Sequence, residues 1–185
     1  LAPTAPLFVE EPVLPEHTHL LAGLVGCSPV PLATGERLYS RAEVLPALRA
    51  GIAVLQPDPS HAGGISEVRR IASLAETFDV PIAPHCPLGP VALAASLQLA
   101  FATPNFLIQE HSLGIHYHSG AELPDYVVDR EVFRPREGHF ARPTAPGLGI
   151  EVDEAAVRAA DDSAPEWRNP LWRHPDGSFA EWCLF

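Results

Sequence analysis

The sequence predicts an α/β protein made of consecutive strand–helix units of a parallel (β/α) barrel. Two observations lead there. Five short apolar runs each lead into a carboxylate or an imidazole, at Glu10, Glu36, Asp58, His85 and Glu110. Those five residues are 26, 22, 27 and 25 positions apart. A βα unit of an eight-fold barrel averages roughly 30 residues, so the spacing suits successive units. Helix-like stretches follow the runs, and strands that alternate with helices favour a parallel sheet.

The runs, in order, are Leu7-Phe8-Val9, Val30-Pro31-Leu32-Ala33, Ile52-Ala53-Val54-Leu55, Val80-Pro81-Ile82-Ala83 and Asn105-Phe106-Leu107-Ile108. Ser40 is placed to cap a helix over Arg41–Arg49, with Ala50-Gly51 as its stop. Pro46 inside that stretch is expected to kink or shorten it. Ser66 is the expected cap of a second helix, Glu67–Phe78, whose Val68, Ile71, Ala72, Leu74 and Ala75 form an apolar stripe. Val91–Phe101 is almost wholly apolar, as a buried helix would be. From Ser119 the pattern changes. Tyr126-Val127-Val128 and Val132-Phe133 suggest a hairpin or extended arm continued by Gly138–Ala141. Pro143–Gly149 reads as a loop, and Asp153 as the cap of a short helix over Glu154–Ala160. The aromatic and basic tail around Trp167–His174 is expected to pack on other structure. Residues 1–118 are therefore assigned to the barrel and 119–185 to a C-terminal extension.

Composition narrows the functional classes. At 185 residues and 46% hydrophobic, the chain can bury one core. The 21 prolines are spread along it and read as punctuation of loops and strand ends. A formal net charge of -11 argues against nucleic acid as a partner, because phosphate contacts need a basic face. An anionic substrate stays compatible, since a bound divalent cation can dominate the local field. Cys27, Cys86 and Cys183 have neither metal-type spacing nor the pattern of a disulfide framework, which fits a reducing cytoplasm. Apolar runs are too short to span a membrane, so no membrane partner is expected. The chain opens on Leu1, contains no Met and reaches its first strand almost at once. A fragment of a longer protein is expected on these grounds.

In a parallel barrel the C-terminal strand ends share one face, and the active site lies there. Glu10, Glu36, Asp58, His85 and Glu110 would then line one rim in angular order. Two carboxylates on adjacent strands suit a hard divalent cation such as Mg²⁺, which takes oxygen ligands. An Asp one strand from a His suits a dyad. The carboxylate accepts from one ring nitrogen, orients the imidazole and raises its basicity. His85 is then a candidate general base.

The residues around these positions carry a resemblance. Val9-Glu10-Glu11-Pro12, Gly35-Glu36, Gln56-Pro57-Asp58, Ser60-His61-Ala62-Gly63-Gly64 and Pro84-His85-Cys86-Pro87-Leu88-Gly89-Pro90 resemble the mandelate racemase branch of the enolase superfamily. Within it, His85–Pro90, Gln109–Tyr117 and Arg168–His174 are similar to the galactonate dehydratase group. The resemblance runs from Leu7 to Trp182. It implies a partial (β/α)7β barrel of the TIM type, from about strand four to strand eight. It also implies that the earlier strands and an N-terminal capping domain lie outside this chain. Position by position, it implies that Glu10 and Glu36 are metal ligands on strands four and five. Asp58 and His85, on strands six and seven, are implied to form the dyad. Glu110 on strand eight is implied to stabilise charge developing on the substrate carboxylate. A third ligand, an Asp on strand three, and an acid His two residues after it fall outside this chain.

The implied activity is a hydro-lyase reaction, Mg²⁺-dependent conversion of D-galactonate to 2-dehydro-3-deoxy-D-galactonate and water. It is expected only of a full-length, homo-oligomeric protein; the 185 residues alone are expected to be inactive and poorly folded. The alternatives are dehydration of another sugar acid, mannonate or gluconate, or a non-catalytic truncated remnant. Several nearby residues read more simply. His61 serves the loop and Gly63-Gly64 permit a tight turn. His116 and His118 fit packing or loop roles better than metal binding, and Cys86 reads as a small apolar residue.

Overall fold

A computed structural model describes residues 2–115, 122–163, 173–174 and 176–177. The chain divides into two compact units, Leu1–Asp153 and Glu154–Phe185. The expected boundary at 118/119 and the residues His116, His118 and Trp167–Trp172 lie outside the described residues.

The first unit is built on a parallel sheet. Strand β1 (Val9–Glu10) pairs with β2 (Leu32–Thr34), and β2 pairs with β3 (Val54–Leu55). Val9 stands opposite Leu32, and Ala33 opposite Val54. Beyond β3 the ladder thins to single parallel bridges, Leu55 with Ile82 and Ile82 with Phe106. The five apolar runs thus lie side by side in sequence order. The fourth run joins each neighbour through a single bridge, both at Ile82, and Pro81 removes a donor from it.

Helices separate the strands. Helix α1 (Leu21–Cys27) follows a 3-10 turn, Pro15–Leu20, and joins β1 to β2. Helix α2 (Arg41–Arg49) has the expected limits, and the Ser40 hydroxyl accepts from the Glu43 N–H at its N-terminus. Pro46 does not shorten it: the helix continues to Arg49. Helix α3 (Gly64–Glu76) begins three residues before the expected Glu67 and stops two before Phe78. Its N-cap is Gly63, in the left-handed region, and not Ser66, which lies inside the helix. Two successive glycines at positive φ, Gly63 at 74° and Gly64 at 82°, make the turn that starts it early. Helix α4 (Pro90–Phe101) is apolar on most sides but leaves Val91 and Phe101 exposed.

The core has two faces. On the helix side of the sheet, Leu55 and Ile82 pack with Val44, Leu48, Val68, Ile71 and Ala75. A smaller cluster of Ala33, Val54 and Ala83, with Phe8 against it, is built from the alternate strand positions. This period-two alternation is that of strands buried on both faces.

The segment after residue 122 differs from the expected hairpin or extended arm. Leu123–Tyr126 and Arg130–Phe133 are 3-10 turns. Val127 makes its antiparallel bridge with Val152, and Arg136 bridges His139. Prolines and caps decide this: Pro124 starts the first turn, and the Asp129 carboxylate caps the second by accepting from the Glu131 N–H. Val127 and Phe133 pack with Cys86, Leu93 and Leu97, so these turns cover one end of α4. In the second unit, helix α5 (Glu154–Ser163) extends three residues beyond the expected Ala160. Among the described residues, no helix is long and apolar enough to cross a membrane.

Candidate active site at the C-terminal strand ends

Glu10 closes β1, and Glu36 and Asp58 follow β2 and β3 by two and three residues. His85 follows the Ile82 bridge by three, and Glu110 follows the Phe106 bridge by four. All five therefore stand past the same ends of parallel segments.

His85 is the centre of the group. Its Nδ1 lies 2.7 Å from Asp58 Oδ2, and its Nε2 lies 3.1 Å from Glu36 Oε2. Asp58 is 1% exposed and His85 8%, so the dyad is shielded from solvent. The second Asp58 oxygen accepts from the Ser60 N–H at 2.7 Å, which fixes the carboxylate plane. Burial, the largest single influence on Asp58, works to raise its pKa. The hydrogen bond from His85, that from Ser60 and the nearby His61 outweigh it and hold Asp58 below its ordinary value. Burial works to lower the His85 pKa. The Asp58 hydrogen bond and the negative charge of Glu36, Glu110 and Asp58 overcome it, and His85 is raised. An ionised carboxylate only accepts, so an imidazole between two of them donates from both nitrogens.

Glu110 is tied to the same group. Its Oε2 accepts from the Cys86 N–H at 3.2 Å. Its neighbour Gln109 holds the strand end. Gln109 Nε2 donates to the carbonyls of Pro84 and Glu110, and its Oε1 accepts from Ser96 of α4. His111 faces away from this work: it stacks edge-on with Phe140 and accepts from the Leu113 N–H. Cys86 is buried, and burial pushes its thiol up to about 11, which suits a packing residue better than a nucleophile.

Glu10 has its pKa raised, by burial first and then by the charges of Glu110 and Glu36. The charges of Glu110 and Glu36 thus act together on Glu10, and the opposing effect of His85 does not reverse the shift. Oxygen donors with mutual repulsion fit a hard divalent ion, which would relieve it. A second grouping, Asp58, His61 and His85, brings three potential ligand atoms within 4.8 Å. It is better read as hydrogen bonding. Two ligands of one ion at ordinary bond lengths would stand about 3 Å or more apart, whereas Asp58 Oδ2 and His85 Nδ1 are 2.7 Å apart.

Two residues contribute that sequence reasoning passed over. His61, read only as a loop residue, places Nδ1 3.2 Å from the Glu36 carbonyl and 3.6 Å from Asp58 Oδ2. Its ring centroid is 5.7 Å from that of His85. Its spacing three residues after Asp58 was the available signal. Glu11 accepts hydrogen bonds from Thr34, Gly35 and Arg37. Its place beside Glu10 concealed a separate role.

A model of the enolase C-terminal domain-like family matches residues 1–156. The chain is 55% identical over 183 residues to the D-galactonate dehydratase of Variovorax paradoxus, covering 98% of this chain and 48% of that protein. It is 54% identical to the D-galactonate dehydratase of Ralstonia nicotianae over the same shares. The chain therefore spans about half the length of the curated relatives it matches. Among solved structures, an enolase from Agrobacterium radiobacter with sodium and L-malate bound superimposes with a TM-score of 0.83. That match has 40% identity over 97% of this chain and 47% of that one. A mandelate racemase/muconate lactonizing enzyme from Sulfitobacter sp. gives 0.77 at 40% identity, over 85% of this chain and 38% of that one. With the parallel α/β array and the polar strand ends in place, these matches assign the chain to the enolase C-terminal domain-like family.

Proposed function

We propose that the chain supplies the base side of the active site of a sugar-acid dehydratase, acting on D-galactonate and forming 2-dehydro-3-deoxy-D-galactonate and water. The observation that carries the reading is His85 held by Asp58 at 2.7 Å and facing a cluster of three carboxylates. The named relatives support the substrate class. Mg²⁺ is the proposed cofactor, with Glu10 and Glu36 as its ligands from this chain; when bound it supplies positive charge opposite the substrate carboxylate.

His85 Nε2 removes the proton from the carbon next to the carboxylate. Asp58 keeps Nδ1 as the donor, so the lone pair used is on Nε2. Glu36 accepts from Nε2 in the present arrangement, so both Glu36 and the Nε2 proton have to leave before His85 acts as the base. Glu110 is assigned to stabilising the charge that develops on the substrate carboxylate. The C2–H bond breaks, its electron pair forms the C2–C3 double bond, and the 3-hydroxyl leaves as water with a proton from a general acid. The resulting enol tautomerises to the 2-keto acid. The residues of this chain give the proton acceptor; the acid is assigned to another part of the protein. A homo-oligomer in a reducing cytoplasm is part of the same reading.

The test uses the full-length gene product against a panel of aldonates that includes galactonate, mannonate and gluconate. Galactonate is expected to be preferred. His85→Asn is expected to abolish both dehydration and exchange of the C2 proton with D₂O. Asp58→Asn is expected to lower kcat by about 100-fold or more, in line with general base effects. Retained C2 exchange in His85→Asn would remove His85 from the role.

A further inference from the structure

We infer that Glu11, with Arg37 and Thr34, is a positioning clamp that sets the spacing of Glu10 and Glu36 and so the affinity of the site for a divalent cation. The inference rests on the reading of Glu10 and Glu36 as ligands.

Neighbouring carboxylates have different fates here. Glu10 enters the acidic cluster at the strand ends. Glu11 turns away because its backbone adopts φ of 46°, a left-handed conformation uncommon for a side chain of its size. Its N–H still donates to the Ala33 carbonyl at 2.9 Å, so the turn happens while the ladder to β2 is intact. The carboxylate then reaches the residues on either side of Glu36 in sequence. Oε1 accepts from Thr34 Oγ1 at 2.5 Å and from the Gly35 N–H at 3.2 Å. Oε2 accepts from Arg37 Nε at 2.8 Å and Nη2 at 2.5 Å. Residues 34, 35 and 37 are all bound, so Glu36 is bracketed in sequence by partners of one carboxylate, that of the residue just after β1.

The other flank of Glu36 is fixed as well. The Gln56 N–H donates to the Thr34 carbonyl at 2.9 Å. Gly35 has φ of 150°, and a Cβ there would stand 2.6 Å from Gln56 N. Beyond it, His61 reaches the Glu36 carbonyl. The segment that carries Glu36 is pinned to the end of β1 by the following residue, Glu11, and to β3 by the backbone pairing of Thr34 with Leu55. The Glu11–Arg37 pair is partly shielded, with side-chain exposures of 14% and 26%, and both Arg37 donors converge on the one oxygen Oε2 while Oε1 holds Thr34 and Gly35; a shielded, multiply bonded pair holds geometry better than a surface pair. Mg²⁺ demands near-ideal octahedral oxygens, so it is sensitive to small displacements of its carboxylates.

The test is calorimetric titration of Mg²⁺ into the metal-stripped full-length gene product, with the unfolding midpoint of the metal-free protein measured alongside. Glu11→Gln is expected to raise the Mg²⁺ Kd by about 10- to 100-fold, the usual effect of removing an outer-shell partner. Thr34→Val and Arg37→Lys are expected to raise it less, and Arg37→Lys to bind better than Arg37→Met. Glu10→Gln and Glu36→Gln are expected to raise it most. A purely structural ion pair would lower the unfolding midpoint and leave Kd within about twofold, which overturns the clamp while the ligand reading stands. An unchanged Kd in Glu10→Gln and Glu36→Gln overturns the ligand reading and the clamp with it. If Glu11→Gln fails to fold, Thr34→Val and Arg37→Lys decide: Kd within about twofold of wild type in both overturns the clamp.

Discussion

His85 and Asp58 are buried charges whose stabilities depend on each other, and this gives the protein a pH signature. Asp58 has an ordinary pKa of 3.8 and is lowered in the fold. Its contribution to stability is present above 3.8 and is lost as pH falls through the lower folded value. His85 has an ordinary value of 6.5 and is raised. Its contribution is full below 6.5 and is lost as pH rises through the higher folded value. Glu10 is raised from 4.5, so it too favours the fold on the acidic side and opposes it once ionised. Asp58 and His85 together favour the range between their ordinary values, and Glu10 lowers stability in the part of it above 4.5. Urea midpoints measured across pH 4 to 9 without added metal are expected to decline above the His85 value. In His85→Asn that decline is expected to flatten, because the titrating partner is gone. A profile with the same slope in both proteins would mean that another group is responsible.

At the scale of elements, the sequence located what local chemistry controls. Ser40 as a cap and the apolar stripe of α3 could be read because each depends on neighbours in sequence, and the order of the strands because strands that alternate with helices lie side by side in a parallel sheet. The start of α3 could not be read from Ser66, since the backbone freedom of Gly63 and Gly64 allowed an earlier turn. The hairpin expected near Val127 failed because its strand partner is Val152, far along the chain, while proline and Asp caps made 3-10 turns of the flanks. The five rim residues were legible from their recurrence at strand ends. Glu11 and His61 were not, because their partners at Arg37 and Glu36 come from other strand ends. Gly35 shows the same dependence on distant backbone. Gly35→Ala sets a methyl against the Gln56 main chain, which is not free to yield, and strains a positive φ. Its expected cost is on the order of 1–3 kcal/mol, within the usual range for backbone strain. Chemical denaturation of the full-length protein checks this, and a change below about 0.5 kcal/mol would show that β3 can move aside.

The whole chain presents outer segments that local interactions leave incomplete. Among the described residues, β1 pairs only with β2, and Phe106 bridges only Ile82. The residues at these two ends include exposed apolar side chains, Leu7 at 60%, Leu107 at 41% and Ile108 at 48%. Unpaired strand edges with apolar side chains invite association. The formal charge of -11 opposes it through repulsion, which salt screens. The 185 residues expressed alone are therefore expected to bind a hydrophobic dye and to self-associate more strongly as salt rises. They are also expected to show no Mg²⁺-dependent turnover of galactonate, because the chain spans about half the length of the curated relatives it matches. The full-length gene product is expected to do neither at the same salt and to turn galactonate over. Light scattering, dye fluorescence and a keto-acid assay on the two proteins make the comparison. Turnover by the 185 residues would mean that Glu10, Glu36, Asp58, His85 and Glu110 suffice for the chemistry, and the division of the site between two parts of a longer protein would have to be given up.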